Sequence, residues 1–118
     1  MISKKYKTPL YGTEFTIVIY NSIEEFNKKF KNWDFSVNIE DFDGSIFERD
    51  GMKYMVFLAK DKGYPTPGII AHESKHLVNS IFIDIGHDLD PHNDEPEAYL
   101  LSWIVNRTHE LLNKYNSN

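Results

Sequence analysis

The chain has 118 residues, 41% hydrophobic, 26% charged and 14% aromatic, with a formal charge of −5 and no cysteine. This length suits one core, so residues 1–118 are expected to form a single domain. The composition excludes a disordered chain, and the missing cysteines exclude a disulfide framework or a cysteine-held zinc. An acidic balance with no basic stripe argues against nucleic acid as a partner.

No apolar run approaches the roughly 18 residues needed to cross a bilayer, and Met1 to Lys7 lacks the apolar stretch of a signal peptide. A cytoplasmic protein with no membrane partner is expected. Lys4, Lys5 and Lys7 read as a solvated tail. Phe15 to Tyr20, rich in β-branched and aromatic residues after Gly12-Thr13, predicts a strand. Ser22 and Glu25 form a capping-box pattern, and Ile23, Phe26 and Phe30 recur at helical spacing, so a short helix is expected over Ile23 to Lys31. Residues Asn32 to Gly44 carry apolar side chains at period two, which suits a short strand or an extended loop.

Asp50-Gly51 is a favoured turn pair between two β-rich arms, and it predicts a hairpin over Ser45 to Ala59. The second arm is apolar on both faces, as in an interior strand. Lys60 to Gly68 reads as a loop, with Thr66 as N-cap and Pro67 as the first residue of a nearly all-apolar, buried helix that stops at Gly86. A polar loop, His87 to Asn93, leads to a last helix from Glu95 to Tyr115, with Ala98, Leu101, Ile104, Val105, Leu111 and Leu112 as its inward face. Strands and helices in this order predict an α+β domain with a small antiparallel or mixed sheet.

The feature that carries chemistry is His72-Glu73-Ser74-Lys75-His76, an HExxH motif in the first half of the apolar helix. Residues i and i+4 share a helix face, so both imidazoles can reach one metal while Glu73 projects beside it as a base. Random placement of this composition would give the motif in about 2% of shuffled chains, so context must support it. A catalytic zinc takes three protein ligands. Asn79 and Phe82 occupy the glycine and histidine slots of the HExxHxxGxxH pattern, which excludes that arrangement.

The remaining source is a carboxylate from the last helix, where Asp94-Glu95-Pro96-Glu97 stands at the start. Glu97 has capping-box spacing from Asp94, which favours Glu95 as the ligand and keeps Glu97 as the alternative. His87 and His92 are further candidates as ligands or oxyanion helpers, read first as surface histidines, as is His109. Tyr99 and Tyr64 have hydroxyls able to assist an oxyanion, against a plainer role in filling the core. An EF-hand count from Asp84 fails, because Gly86 and Leu89 fall where a ligand and a glycine are required.

HESKH at 72–76, its apolar continuation to Gly86, and DEPEAYL from Asp94 to Leu100 resemble the small HExxH zinc metallopeptidase-like proteins of bacteriophages, minimal relatives of the gluzincins. The resemblance is strongest over residues 66–106. It implies a zincin-like fold, Zn2+ held by His72, His76 and Glu95, Glu73 as general base, and the cytoplasm of a phage-infected or prophage-carrying bacterium. It also implies an edge strand that pairs with an extended substrate, a role assigned to Tyr54 to Ala59. The chain lacks the asparagine-glutamate motif of larger gluzincins and much of their second subdomain. The expected function is peptide-bond hydrolysis by metal-activated water, on a peptide or protein substrate. The acidic stretch from Asp84 to Glu97 suggests a bias towards basic or N-terminally charged peptides. The alternative is a non-catalytic zincin-like module that captures a partner protein.

Overall fold

The computed structural model describes residues 1–31 and 43–117. The expectation of a strand or extended loop for residues 32–42 lies outside them. Four strands, β1 (Ile2–Lys7), β2 (Glu14–Tyr20), β3 (Gly44–Arg49) and β4 (Met52–Leu58), form one sheet in the order β1-β2-β4-β3. β2 and β4 are parallel, and the two outer pairs are antiparallel. Helix α1 (Ile23–Lys29) lies on one face; α2 (Pro67–Ile85) and α3 (Glu95–Asn116) lie on the other. The α+β expectation with a mixed sheet therefore holds.

Alternation along the central strands builds both faces. Ile17, Ile19, Met55 and Phe57 point to the two-helix side, where they meet Leu77, Val78, Ile81 and Ile104. Val18, Tyr20 and Val56 point the other way, onto Phe26 and Phe30. That division explains why β4 is apolar from Tyr54 to Leu58: both of its faces are covered.

Several local signals act as the sequence predicts. Ser22 Oγ accepts from the Glu25 N–H at 3.2 Å, and Thr66 Oγ1 accepts from the Ile69 N–H at 3.2 Å. Asp50 and Gly51 both take positive φ (53° and 79°), the geometry that a two-residue hairpin turn requires. Gly86 closes α2 in the left-handed conformation at φ 71°.

Other expectations are corrected. Met1 to Lys7 is no tail: its residues pair with β2 from Ile2↔Ile19 to Lys7↔Glu14, and Tyr6 is buried against Phe15. Lysines on an edge strand keep its open side soluble, which is why the composition imitates a tail. β4 cannot be the substrate-pairing edge, because it lies between β2 and β3; the edge beside α2 is β3. Helix α2 buries one face only, and Ile83 is 78% exposed. In α3, Ala98 is exposed while Leu100 and Thr108 are buried, the Thr108 hydroxyl donating to the Ile104 carbonyl at 2.8 Å. No described helix is long and apolar enough to cross a membrane.

Lys53 ties the far end of α2 to the hairpin. Its side chain is 4% exposed and bonds Glu48, Asp84 (2.6 Å) and the Ser80 hydroxyl (2.7 Å). Burial alone would lower its pKa, but hydrogen bonds to Asp84 and Glu48 outweigh that and raise it above 10.5. A lysine with a raised folded-state pKa contributes stability that is complete below its ordinary value and lost as pH rises through the folded one. Lys53→Met is expected to cost about 1–2 kcal/mol, since it keeps the stem but loses the charged bonds, while both acids can still turn to water. Urea denaturation at pH 8 measures this cost, and the gap to wild type should narrow above pH 10.5.

Candidate functional site

The first half of α2 presents the motif at the β3 edge of the sheet. One helical turn separates His72 from His76, and both are exposed. Their rings meet edge to face, with centroids 4.8 Å apart, and their Nε2 atoms converge to 3.2 Å. A tetrahedral zinc with Zn–N bonds of about 2.0–2.1 Å needs two nitrogens about 3.3–3.4 Å apart, so this spacing suits a shared ion. It also suits a hydrogen bond between two neutral imidazoles of opposite tautomer.

Glu73 sits on the sheet side, its side chain 12% exposed, with Oε1 3.9 Å from His72 Nε2. Burial raises the pKa of its carboxyl, and the two histidines only partly offset this. A raised pKa makes the carboxylate a stronger proton acceptor, as a general base needs.

Gly44, at the start of β3, is the residue that makes room for Glu73. A Cβ there would lie 2.9 Å from Glu73 Cγ and 3.1 Å from Phe57 Cδ1. Gly44→Ala is therefore expected to turn Glu73 out of its place and to cost about 1–3 kcal/mol as overpacking. Thermal melting of Gly44→Ala beside Gly44→Ala/Glu73→Ala tests it: the second substitution should recover part of the loss. Nothing in the sequence singles Gly44 out, since Asp43-Gly44 reads as an ordinary turn pair.

A groove of about 430 Å³ opens here, lined by Gly44, Thr66, Gly68, Ile69, His72 and Glu73. Asp43, also on its wall, is ion-paired with Lys60.

The other candidate residues are placed elsewhere. Glu97 is ion-paired with Lys75, whose ammonium also donates to Asn79 Oδ1 at 2.8 Å. Asp94 makes no side-chain cap, so the capping box that set Glu97 aside does not form. Glu95 is exposed and lines a separate cleft with Leu10, Tyr11 and Tyr99. Tyr99 is 71% exposed, which corrects its reading as core filling. His92 is exposed in its loop, where its N–H donates to Asp90 Oδ1 at 2.9 Å. His87 packs its ring on Phe82 at 4.6 Å, and His109 is exposed. Tyr64 is half-buried beneath the Lys60 ammonium. Among the described residues, no group of three or more His, Cys, Asp or Glu side chains converges as a metal site. The structure thus brings together His72, Glu73 and His76, and leaves Glu95, Glu97, His92 and Tyr99 apart from them.

In comparisons with known proteins, the chain matches no family model, no curated protein and no solved structure.

Proposed function

We propose that this chain is a zinc-dependent metallopeptidase in which His72 and His76 hold the ion and Glu73 is the general base. The observation that carries the reading is the convergence of the two Nε2 atoms to 3.2 Å beside a buried carboxylate. The third donor would come from the first turn of α3. Glu97 stands on the side of that turn facing α2, through Lys75, and Glu95 on the side facing the separate cleft, so placement favours Glu97.

A zinc ion held there supplies Lewis acidity, making a water molecule acidic enough to react near neutral pH. The protein's own groups do the rest. Glu73 Oε1 takes a proton from the attacking water and passes it to the leaving amine. Burial against β3 keeps that carboxylate poorly solvated, and Gly44 leaves it room beside Phe57. The acids of the Asp84 to Glu97 stretch left unpaired, Asp88, Asp90, Asp94 and Glu95, would bias the surface towards basic or N-terminally charged peptides. The absence of cysteine suits a reducing compartment, such as the bacterial cytoplasm that the phage resemblance implies.

One observation favours a second reading, a zincin-like module that captures a partner without turnover: no third donor joins the histidines among the described residues. Partner capture at one equivalent, unaffected by Glu73→Gln, would support the module.

Elemental analysis after expression with added zinc tests the metal site. Wild type should hold one equivalent and His76→Ala almost none; of Glu95→Ala and Glu97→Ala, the variant that loses zinc identifies the third donor. Zinc-free wild type with unchanged melting in chelator would overturn the proposal.

A further inference from the structure

We infer that the cleft between the β1–β2 turn and the first turns of α3 is a docking site for a peptide segment carrying a large apolar side chain beside a lysine or arginine. The cleft has a volume of about 530 Å³, within the usual range for a ligand site. Leu10, Tyr11, Leu100 and Trp103 give it apolar walls, and Glu95 is the one charged residue among the described residues that line it.

Two lining side chains are held out in water at a clear cost. Leu10 is 94% exposed in a left-handed conformation (φ 69°), and Tyr99 is 71% exposed. With Leu100 and Trp103 they form a contiguous apolar lining, the kind of surface that a docked segment covers. The wall behind them is firm: Trp103 is fixed edge-on against Tyr6 and Phe15 at 6.3 and 6.2 Å. A preformed aromatic wall costs little ordering when a side chain inserts.

Charge decides the rest of the occupant. Of the six acids from Asp84 to Glu97, Asp84 and Glu97 are paired with Lys53 and Lys75, and the other four make no ion pair among the described residues. Among the described residues, the Glu95 side chain has no ion-pair or hydrogen-bond partner. Arg107, the nearest cation along α3, lies over the Trp103 ring and donates twice to Glu110, so it does not neutralise the cleft. An apolar occupant next to a cation satisfies both the walls and the carboxylate, whereas an acidic one would be repelled. His72, Glu73 and His76 do not line the cleft, so this docking does not rest on the metallopeptidase reading.

The test titrates three capped hexapeptides, alike except for a central Phe-Lys, Phe-Glu or Ser-Lys pair, into the ¹⁵N-labelled full-length chain. Glu73→Gln serves as the host, to block any cleavage. Phe-Lys should shift the Tyr99 amide and the Trp103 indole signal and bind at least about tenfold tighter than Ser-Lys, the worth of one buried aromatic anchor. In the same host, Glu95→Gln should weaken Phe-Lys by about two- to fivefold and leave Phe-Glu no weaker, as for a partly exposed ion pair. Tyr99→Ser should weaken both Phe peptides. Equal binding of Phe-Lys and Phe-Glu, or shifts confined to residues around His72, would overturn the inference. So would loss of zinc in Glu95→Gln, because that carboxylate would then belong to the metal. Failure of the metal site leaves the peptide titration unchanged, so the two proposals fail separately.

Discussion

Glu73→Gln is expected to lower peptide hydrolysis by about 10²–10⁴-fold while zinc content stays at the wild-type level. The amide keeps the shape of the side chain and cannot accept the proton, so binding and chemistry separate. Steady-state kinetics on a basic peptide library, paired with elemental analysis, measures both. Unchanged turnover would remove Glu73 from the mechanism; zinc loss would make it a ligand.

The same substitution has a predicted effect on stability with a definite sign. Burial raises the Glu73 pKa, so the ionised side chain is disfavoured in the folded state. A carboxyl shifted upward contributes stability that is complete below its ordinary value of 4.5 and is lost as pH rises through the folded value. The neutral glutamine escapes that loss. In chelator, Glu73→Gln should therefore melt above wild type at pH 7, and the advantage should shrink as pH falls towards 4.5. Equal melting curves across this range would show that the carboxylate is already well solvated.

Ile104→Ala is expected to destabilise the fold by about 2–5 kcal/mol. Ile104 is fully buried in the cluster that joins α3 to Leu77, Val78 and Ile81 of α2, and truncation leaves a cavity that rigid neighbours on the sheet cannot fill. Ile83→Ala is the internal control: 78% exposed, it should change stability by no more than about 0.5 kcal/mol. Chemical denaturation of both separates the two faces of the helical layer. Because α3 also carries Glu95 and Glu97, Ile104→Ala should weaken zinc binding as well, measured by competition with a chromophoric chelator.

The contrast between Ile104 and Ile83 shows where the sequence is legible. Caps and turns are local: Thr66, Pro67 and Gly86 bound α2, Asp50-Gly51 makes its turn, and each acts through atoms a few residues away. Burial is not local. Ile83 and Ile81 are equally apolar, and only the position of the sheet decides that Ile81 is covered and Ile83 is not. For the same reason β1 is illegible in the sequence, since its stability comes from pairing with β2 and from Tyr6 meeting Phe15, neither visible in a lysine-rich segment by itself.

For the candidate site, the sequence by itself determined the i, i+4 pairing of His72 with His76 and the adjacent Glu73, because helix periodicity converts that spacing directly into proximity. It also determined that any metal must be held by imidazole and carboxylate, since no cysteine exists. Only the tertiary structure decided that β3, not β4, is the edge beside the motif, that Gly44 makes room for Glu73, and that Glu97 pairs with Lys75 while Glu95 faces another cleft. These are contacts between segments distant in the chain, set by how α2 and α3 pack on one face of the sheet.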